Sequence, residues 1–319
     1  MPPIVTITFN PAIDKSTSIS SLVPEKKLYC EAIMTEPGGG GINVARAIAK
    51  LGGAAEAIFL AGGHTGDLLQ QLLSQANVPF RAIQMRNETR EDLSVTDRHT
   101  NLQYRFVMPG QKVYEDEWQK CLQVVEVLSS IEYIVASGSL PQGVPDDIYA
   151  RIASIAKKKN AKCIIDSKGK PLKLALEEGV YLIKPNLNEL SILAGVNELK
   201  GEEIVTAAKD IIDKNQCEAI VISVGASGAL LVTKDIVRQI AAPPVKTKSS
   251  VGAGDSMVAG IVYSLQIGKD IIRSVEYGVA CGTASTLNEG TGLCNLADVE
   301  NLYDIMSKTR NEIGEKTLS

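Results

Sequence analysis

Short β-branched runs alternate with helix-patterned stretches along most of the chain, and this alternation is the strongest constraint on its fold. The runs are Ile4–Phe9, Ala57–Ala61, Tyr133–Ser137, Lys162–Asp166, Tyr181–Lys184, Ala219–Val224 and Ala229–Thr233. Helical patterns occupy Ile42–Leu51, Asp67–Ala76, Asp146–Lys158, Glu202–Lys214, Ser256–Gln266 and Asp270–Leu287. In Asp67–Ala76, Leu68, Leu69, Leu72 and Leu73 recur at the spacing of one helix face. Strands joined through helices demand crossover connections, so the expected class is α/β: a mostly parallel sheet with helices on both sides. Aromatic residues make up only 4% of the 319, so the core must be built from Ile, Val, Leu and Ala, which suits buried parallel strands.

Two segments break the rhythm. Residues about 14–36 and about 89–108 read as β-rich without intervening helices. The second splits into Leu93–Asp97 and Leu102–Phe106 around the polar turn Arg98-His99-Thr100-Asn101. Two hairpins inserted into an α/β unit predict a small sheet lying over the site. The whole chain, 1–319, then reads as one domain carrying this lid, with a polar end at Lys308–Ser319 expected to fray.

Composition excludes several functions. The net charge is −4, and no Lys/Arg run is interleaved with aromatics, which argues against nucleic acid as a partner. The six cysteines, at 30, 121, 163, 217, 281 and 294, form no C-x-x-C pair, and the chain has two histidines. A zinc cluster is not expected, and unpatterned cysteines suit a reducing cytoplasm. The N-terminus is too short in apolar length for a signal peptide, and no 18-residue apolar run exists, so no membrane partner is expected.

Four glycine-bearing turns carry the chemistry. Gly252-Ala253-Gly254-Asp255 opens an apolar helix, where unpaired backbone N–H groups and the positive dipole end make an anion hole. Asp255 is then either an ordinary N-cap or an acid aimed at whatever the hole binds. Gly38–Gly41 also precedes a helix; four glycines are costly to order, which implies that something approaches this backbone closely. The third glycine of a dinucleotide fingerprint is missing, as are the Walker and G-x-S-x-G patterns. Lys184-Pro185-Asn186-Leu187-Asn188-Glu189 follows a strand; its N-x-x-E spacing fits a hydrated Mg²⁺ or a capping arrangement. Ser223–Gly228 is another strand-end turn, plain if taken alone. Together they sit where ligands bind in parallel sheets, and with Lys, Asn/Glu and Asp among them they read as a phosphoryl-transfer site.

In order and spacing, Gly38–Ala49 and Ser250–Ile261 resemble the two signatures of the ribokinase-like PfkB sugar kinases, and the likeness spans essentially the whole chain. Tyr104–Gly110, Ser137–Pro141 and Pro243–Lys246 are similar to its phosphofructokinase branch. The resemblance implies a three-layer sandwich with a small β-sheet lid that also forms a homodimer interface. It implies a glycolytic, ATP-dependent phosphorylation of fructose 6-phosphate to fructose 1,6-bisphosphate, with tagatose 6-phosphate or fructose 1-phosphate as the alternative substrate. A non-catalytic sugar or nucleotide binder on the same scaffold would be expected to lose Asp255, Gly252 or Gly254, and all three are present. By resemblance Asp255 is the general base, with Gly252, Ala253 and Gly254 donating to the transferring group. Asp14, Gly39, Gly40 and Asn43 would hold sugar hydroxyls, and Arg90, with Lys27 and Ser139 nearby, would grip the sugar phosphate. Lys184, Asn186, Ser223, Gly225, Gly228, Val279 and Thr283 would contact ATP, and Glu189 would position Mg²⁺ through water. Ser249, Val251, Ser285, Asn288 and Gly290 match a monovalent-cation (K⁺) site, although Gly292 stands where an Arg would be expected.

Overall fold

The computed structural model describes residues 3–214 and 216–316, with side chains described as far as Lys308. Strand β1 (Ile4–Thr8) starts the large sheet, and β2 (Ala12–Ile19) and β3 (Met34–Gly38) leave it. The chain returns through α1 (Gly40–Lys50), β4 (Ala55–Ala61), α2 (Gly63–Gln75) and β5 (Phe80–Gln84), then leaves again as β6 (Arg90–Asp97) and β7 (Leu102–Phe106). The rest continues as α3 (Glu115–Val127), β8 (Tyr133–Ser137), α4 (Ile148–Lys158), β9 (Lys162–Asp166), α5 (Gly169–Glu178), β10 (Val180–Ile183), α6 (Leu187–Ala194) and α7 (Glu202–Asp213). It closes with β11 (Cys217–Ser223), β12 (Ala229–Thr233), β13 (Val237–Ile240), α8 (Ala253–Gln266), α9 (Ile271–Ser285) and α10 (Leu296–Lys316).

Among the described residues, nine strands form one sheet in the order β13-β12-β11-β10-β9-β8-β1-β4-β5. From β11 to β5 every neighbouring pair is parallel, and β12 and β13 add an antiparallel edge. Side chains alternate across the sheet. Ala57, Phe59 and Val135 face a core shared with α1, α2, α8, α9 and α10. Ile58, Leu60, Ile134 and Ala136 face a second core under α3, α4, α5 and α7. With two apolar faces, the central strands read as nearly unbroken apolar runs, which is why these runs were legible without any alternation.

The small sheet has the order β3-β2-β6-β7. Its two antiparallel hairpins are joined by a parallel β2–β6 pair that sets Ala12 opposite Arg90 and Asp14 opposite Asp92. Residues 20–33, expected to be β-rich, hold no strand. Helices α3, α5 and α10 and strands β5 and β13 were not anticipated. Helix α10 extends into the polar end as far as Lys316, and Thr317–Ser319 lie outside the described residues. No described helix is long and apolar enough to cross a membrane.

The chain runs from β1 to β4 and β5 on one side, and from β8 to β11 on the other. That reversal beside β1 opens a crevice at the carboxyl ends of the strands, the usual ligand position in such sheets.

Candidate active site

Helix α8 begins at the crevice. Gly252 is its N-cap with φ of +78°, a left-handed conformation that favours glycine. Ala253, Gly254 and Asp255 are the first three helical residues, so Asp255 is not the cap that a lone Asp at this point commonly is. Its carboxylate accepts from Asn43 Nδ2 at 2.9 Å. Burial first, and then the charge of Asp166, push its pKa up to about 7, against the pull of the Asn43 hydrogen bond and Lys184. A group poised there can take up and release a proton near neutrality.

Four adjacent strand ends furnish the floor: Ser137 ends β8, Asp166 ends β9, Lys184 follows β10 and Ser223 ends β11. Lys184 is buried, its Nζ 3.4 Å from Asp166 Oδ1. Burial alone would lower its pKa, but Asp166, Asp255 and Glu189 together carry it above its ordinary value, so it stays cationic. A Cβ on Gly254 would stand 3.3 Å from that Nζ, which places the ammonium at the mouth of α8.

The glycine run is explained by the protein's own groups. A Cβ on Gly38 would lie 2.5 Å from the Asp14 carboxyl, and one on Gly41 would lie 2.7 Å from the Ile7 carbonyl oxygen. The close approach inferred from the sequence is therefore made in part by β1 and β2 themselves. Asp14 is pushed up to about 6, by burial and then Asp92, with Arg90 opposing.

Two cavities meet at α8. One, of about 650 Å³, is lined by Asn186, Ser223, Gly225, Gly228, Val279 and Thr283, with Pro243, Val245 and Met257 as apolar walls. The other, of about 440 Å³, is lined by Asp14, Gly39, Gly40, Asn43, Arg90, Ser139, Gly252 and Asp255. Ser250 and Gly254 line both. An apolar slot and a charged polar chamber thus share one wall, the start of a helix.

The pattern of the pfkB family carbohydrate kinases matches residues 3–298. The chain belongs to the PfkB family. It is 41% identical over 315 residues to the ATP-dependent 6-phosphofructokinase isozyme 2 of Mycobacterium tuberculosis (strain ATCC 25618 / H37Rv), covering 98% of this chain and 92% of that one. A crystal structure of phosphofructokinase-2 from Escherichia coli in complex with fructose-6-phosphate superposes with a TM-score of 0.91 at 41% identity, over 96% of this chain and 100% of that one. A structure of the same enzyme in complex with potassium gives 0.92 at 43%, with the same coverage. The ribokinase-like fold expected of this PfkB chain is the one it has.

Of the residues singled out from the sequence, Lys27 alone among the sugar-site group stands outside the cavities of this PfkB chain. It is exposed, with its Nζ 5.3 Å from the centre of the Tyr29 ring. Arg90 is already engaged: its Nη1 donates to both Asp92 carboxylate oxygens at 2.6 and 2.7 Å, while its buried Nε has no partner among the described residues. Asp92, Arg105 and Asp166 also line the polar cavity and were missed. Asp166 carried a usable signal, an acid closing a predicted strand; Arg105 and Asp92 lie inside a hairpin pattern that gave none.

The N-x-x-E stretch adopts its capping geometry: Glu189 N donates to Asn186 Oδ1 at 2.8 Å, and Asn186 N donates to Glu189 Oε2 at 3.0 Å. Glu189 also lines the polar cavity, so its other oxygen can serve a second purpose. Among the described residues no group of three or more His, Cys, Asp or Glu could hold a metal alone. The Ser249 hydroxyl donates to the Gly290 carbonyl at 2.7 Å, pinning together two segments of the predicted cation site. There Ser285 Oγ donates to Gly282 O, and Asn288 Nδ2 donates to Leu293 O. These bonds hold both side chains against the backbone of the segments that the cation site would span.

Proposed function

We propose that this PfkB chain is an ATP-dependent 6-phosphofructokinase, transferring the γ-phosphoryl of ATP to the 1-hydroxyl of fructose 6-phosphate. One observation carries the reading: Gly254 and Ser250 belong to both cavities, and Asp255, on the next residue, faces the polar one. The nucleotide base occupies the apolar slot, and its phosphates run along Lys184 and the start of α8. The sugar lies in the polar chamber. Asp255 takes the proton of the attacking hydroxyl, the new O–P bond forms as the bond to the β-phosphate breaks, and ADP leaves. Gly252, Ala253 and Gly254 present backbone N–H groups to the charge that develops on the γ-phosphoryl. Asp14 and Asn43 hold sugar hydroxyls, and Arg90 and Arg105 supply cations for the phosphate the sugar already carries. Mg²⁺, brought by the nucleotide and held beside the free oxygen of Glu189, would offset phosphate charge. K⁺ between the Ser249–Val251 and Ser285–Gly290 segments would brace the turn before α8. All six cysteines are free, which suits a cytoplasmic enzyme.

The deciding experiment measures ADP release with Mg²⁺-ATP and fructose 6-phosphate, tagatose 6-phosphate, fructose 1-phosphate, fructose and ribose in parallel. The expected result is the highest kcat/KM for fructose 6-phosphate. A higher value for another phosphosugar moves the substrate within the mechanism, and turnover only with an unphosphorylated sugar overturns both the substrate and the role of Arg90.

The lid supports a homodimer. Tyr29, Ile33, Met34, Leu102, Phe106 and Val107 are exposed there, an apolar surface larger than isolated side chains explain. Sedimentation equilibrium is expected to give twice the 34.1 kDa chain mass, with Phe106→Glu shifting the population toward the single chain. A wild-type protein that sediments as a single chain would refute the lid interface.

A further inference from the structure

We propose that Arg46 is a positioning residue for the reaction: clamped by Glu36, it fixes which end of the Asn43 amide faces Asp255. The inference rests on Asp255 being the base. Arg46 Nη2 donates to Glu36 Oε1 at 2.7 Å, and Nη1 donates to Pro37 O at 2.6 Å and Asn43 Oδ1 at 3.2 Å. Asn43 Nδ2 then donates to Asp255 at 2.9 Å. Glu36 is itself held by Thr291, whose Oγ1 donates to its other oxygen at 2.6 Å. The chain of contacts therefore runs from the Gly290–Gly292 loop, through the lid strand β3 and helix α1, to the carboxylate at the start of α8.

The chemistry of each end makes this a lock. A guanidinium only donates and a carboxylate only accepts, whereas an amide has one end of each kind. With Arg46 on one side and Asp255 on the other, only one orientation of Asn43 satisfies both. Without Arg46 the amide is free to turn, and its oxygen facing Asp255 would repel the ionised base. Arg46 and Asn43 are both buried, so water is a poor substitute donor. A buried Arg–Glu pair is often only structural. This one ends on the reacting group, and that difference can be measured.

The test compares pH profiles of kcat/KM for wild type, Arg46→Met, Arg46→Lys, Asn43→Ala and Arg46→Met/Asn43→Ala, with Asp255→Asn alongside. The groups facing Asp255 are Asp166 at the end of β9, Lys184 after β10, Asp14 on β2 and Asn43 on α1. Those around Glu36 and Arg46 are Thr291, Asp14 and Lys50. Arg46→Met is expected to move the acid limb upward by about one to two pH units, the scale of one lost hydrogen bond to a charged group. Arg46→Lys should recover part of that shift. In the Asn43→Ala background, Arg46→Met should add little. Additive shifts would mean that Arg46 acts through Asp14 or the general field and would overturn the lock, as would an unmoved limb with activity lowered equally at every pH. If Arg46→Met does not fold, Arg46→Lys and Glu36→Gln carry the same comparison. Asp255→Asn that stays active would instead bring down the base assignment, and the inference with it.

Discussion

Asp255→Asn is expected to lower kcat by about 10²-fold or more while leaving the fold intact, since a positioned base contributes about 10²–10⁴-fold. Asn has the same shape and can still accept from Asn43, so the hydrogen bond at 2.9 Å need not be lost. The wild-type rate carries a signature to match. The Asp255 pKa is raised to about 7 by burial and Asp166, so the ionised base forms only as pH climbs through that value. kcat/KM should fall with decreasing pH below about 7, and the variant should lose this limb. Stability runs the opposite way. A carboxyl whose pKa is higher folded than unfolded contributes most below the unfolded value, near 3.8, and that contribution is lost as pH rises through about 7. At pH 8 the Asn variant should therefore melt no earlier than wild type. Steady-state kinetics and a thermal melt check both halves; activity within a few-fold of wild type would refute the base role.

Arg90→Ala should raise KM for the phosphosugar by about 10-fold to 10²-fold and leave that for ATP nearly unchanged. The range follows from losing charge-assisted hydrogen bonds worth about 1.5–3 kcal/mol. The structure adds a complication absent from the sequence. Arg90 is already paired with Asp92 at 2.6 Å, so a phosphate must share or displace that partner. Removing Arg90 also takes away the cation that offsets Asp92 beside Asp14, which would raise the Asp14 pKa further. Equal losses for both substrates would instead mark Arg90 as structural.

Much of this was legible in the residues because the parallel sheet leaves strong marks. Runs such as Ile4–Thr8 and Tyr133–Ser137 are buried along their whole length, and their shortness and β-branched residues mark them as strands. The Gly252–Asp255 turn announced its helix start, and its αL cap is where glycine was needed. Edge elements were lost for the opposite reason. β13 (Val237–Ile240) has three exposed residues of four, and the partly exposed β5 alternates too weakly to stand out. The four glycines signalled a close approach to this backbone, and at Gly38 and Gly41 it is made by Asp14, Thr8 and Ile7, contacts between segments whose partners no local pattern encodes. The same limit hid Arg46, which reads as an ordinary charged residue in a helix until Glu36, Thr291 and Asn43 close around it.

Ser137, Asp166, Lys184 and Ser223 stand at the ends of four strands that are neighbours in the sheet. Adjacent strands lie about 4.8 Å apart, so this row spans about 14 Å in fixed steps. The row runs from Ser223, which lines the apolar cavity, to Asp166 and Ser137, which line the polar one. The offset between the two cavities is therefore set by the spacing of backbone hydrogen bonds, which no single side chain can reset.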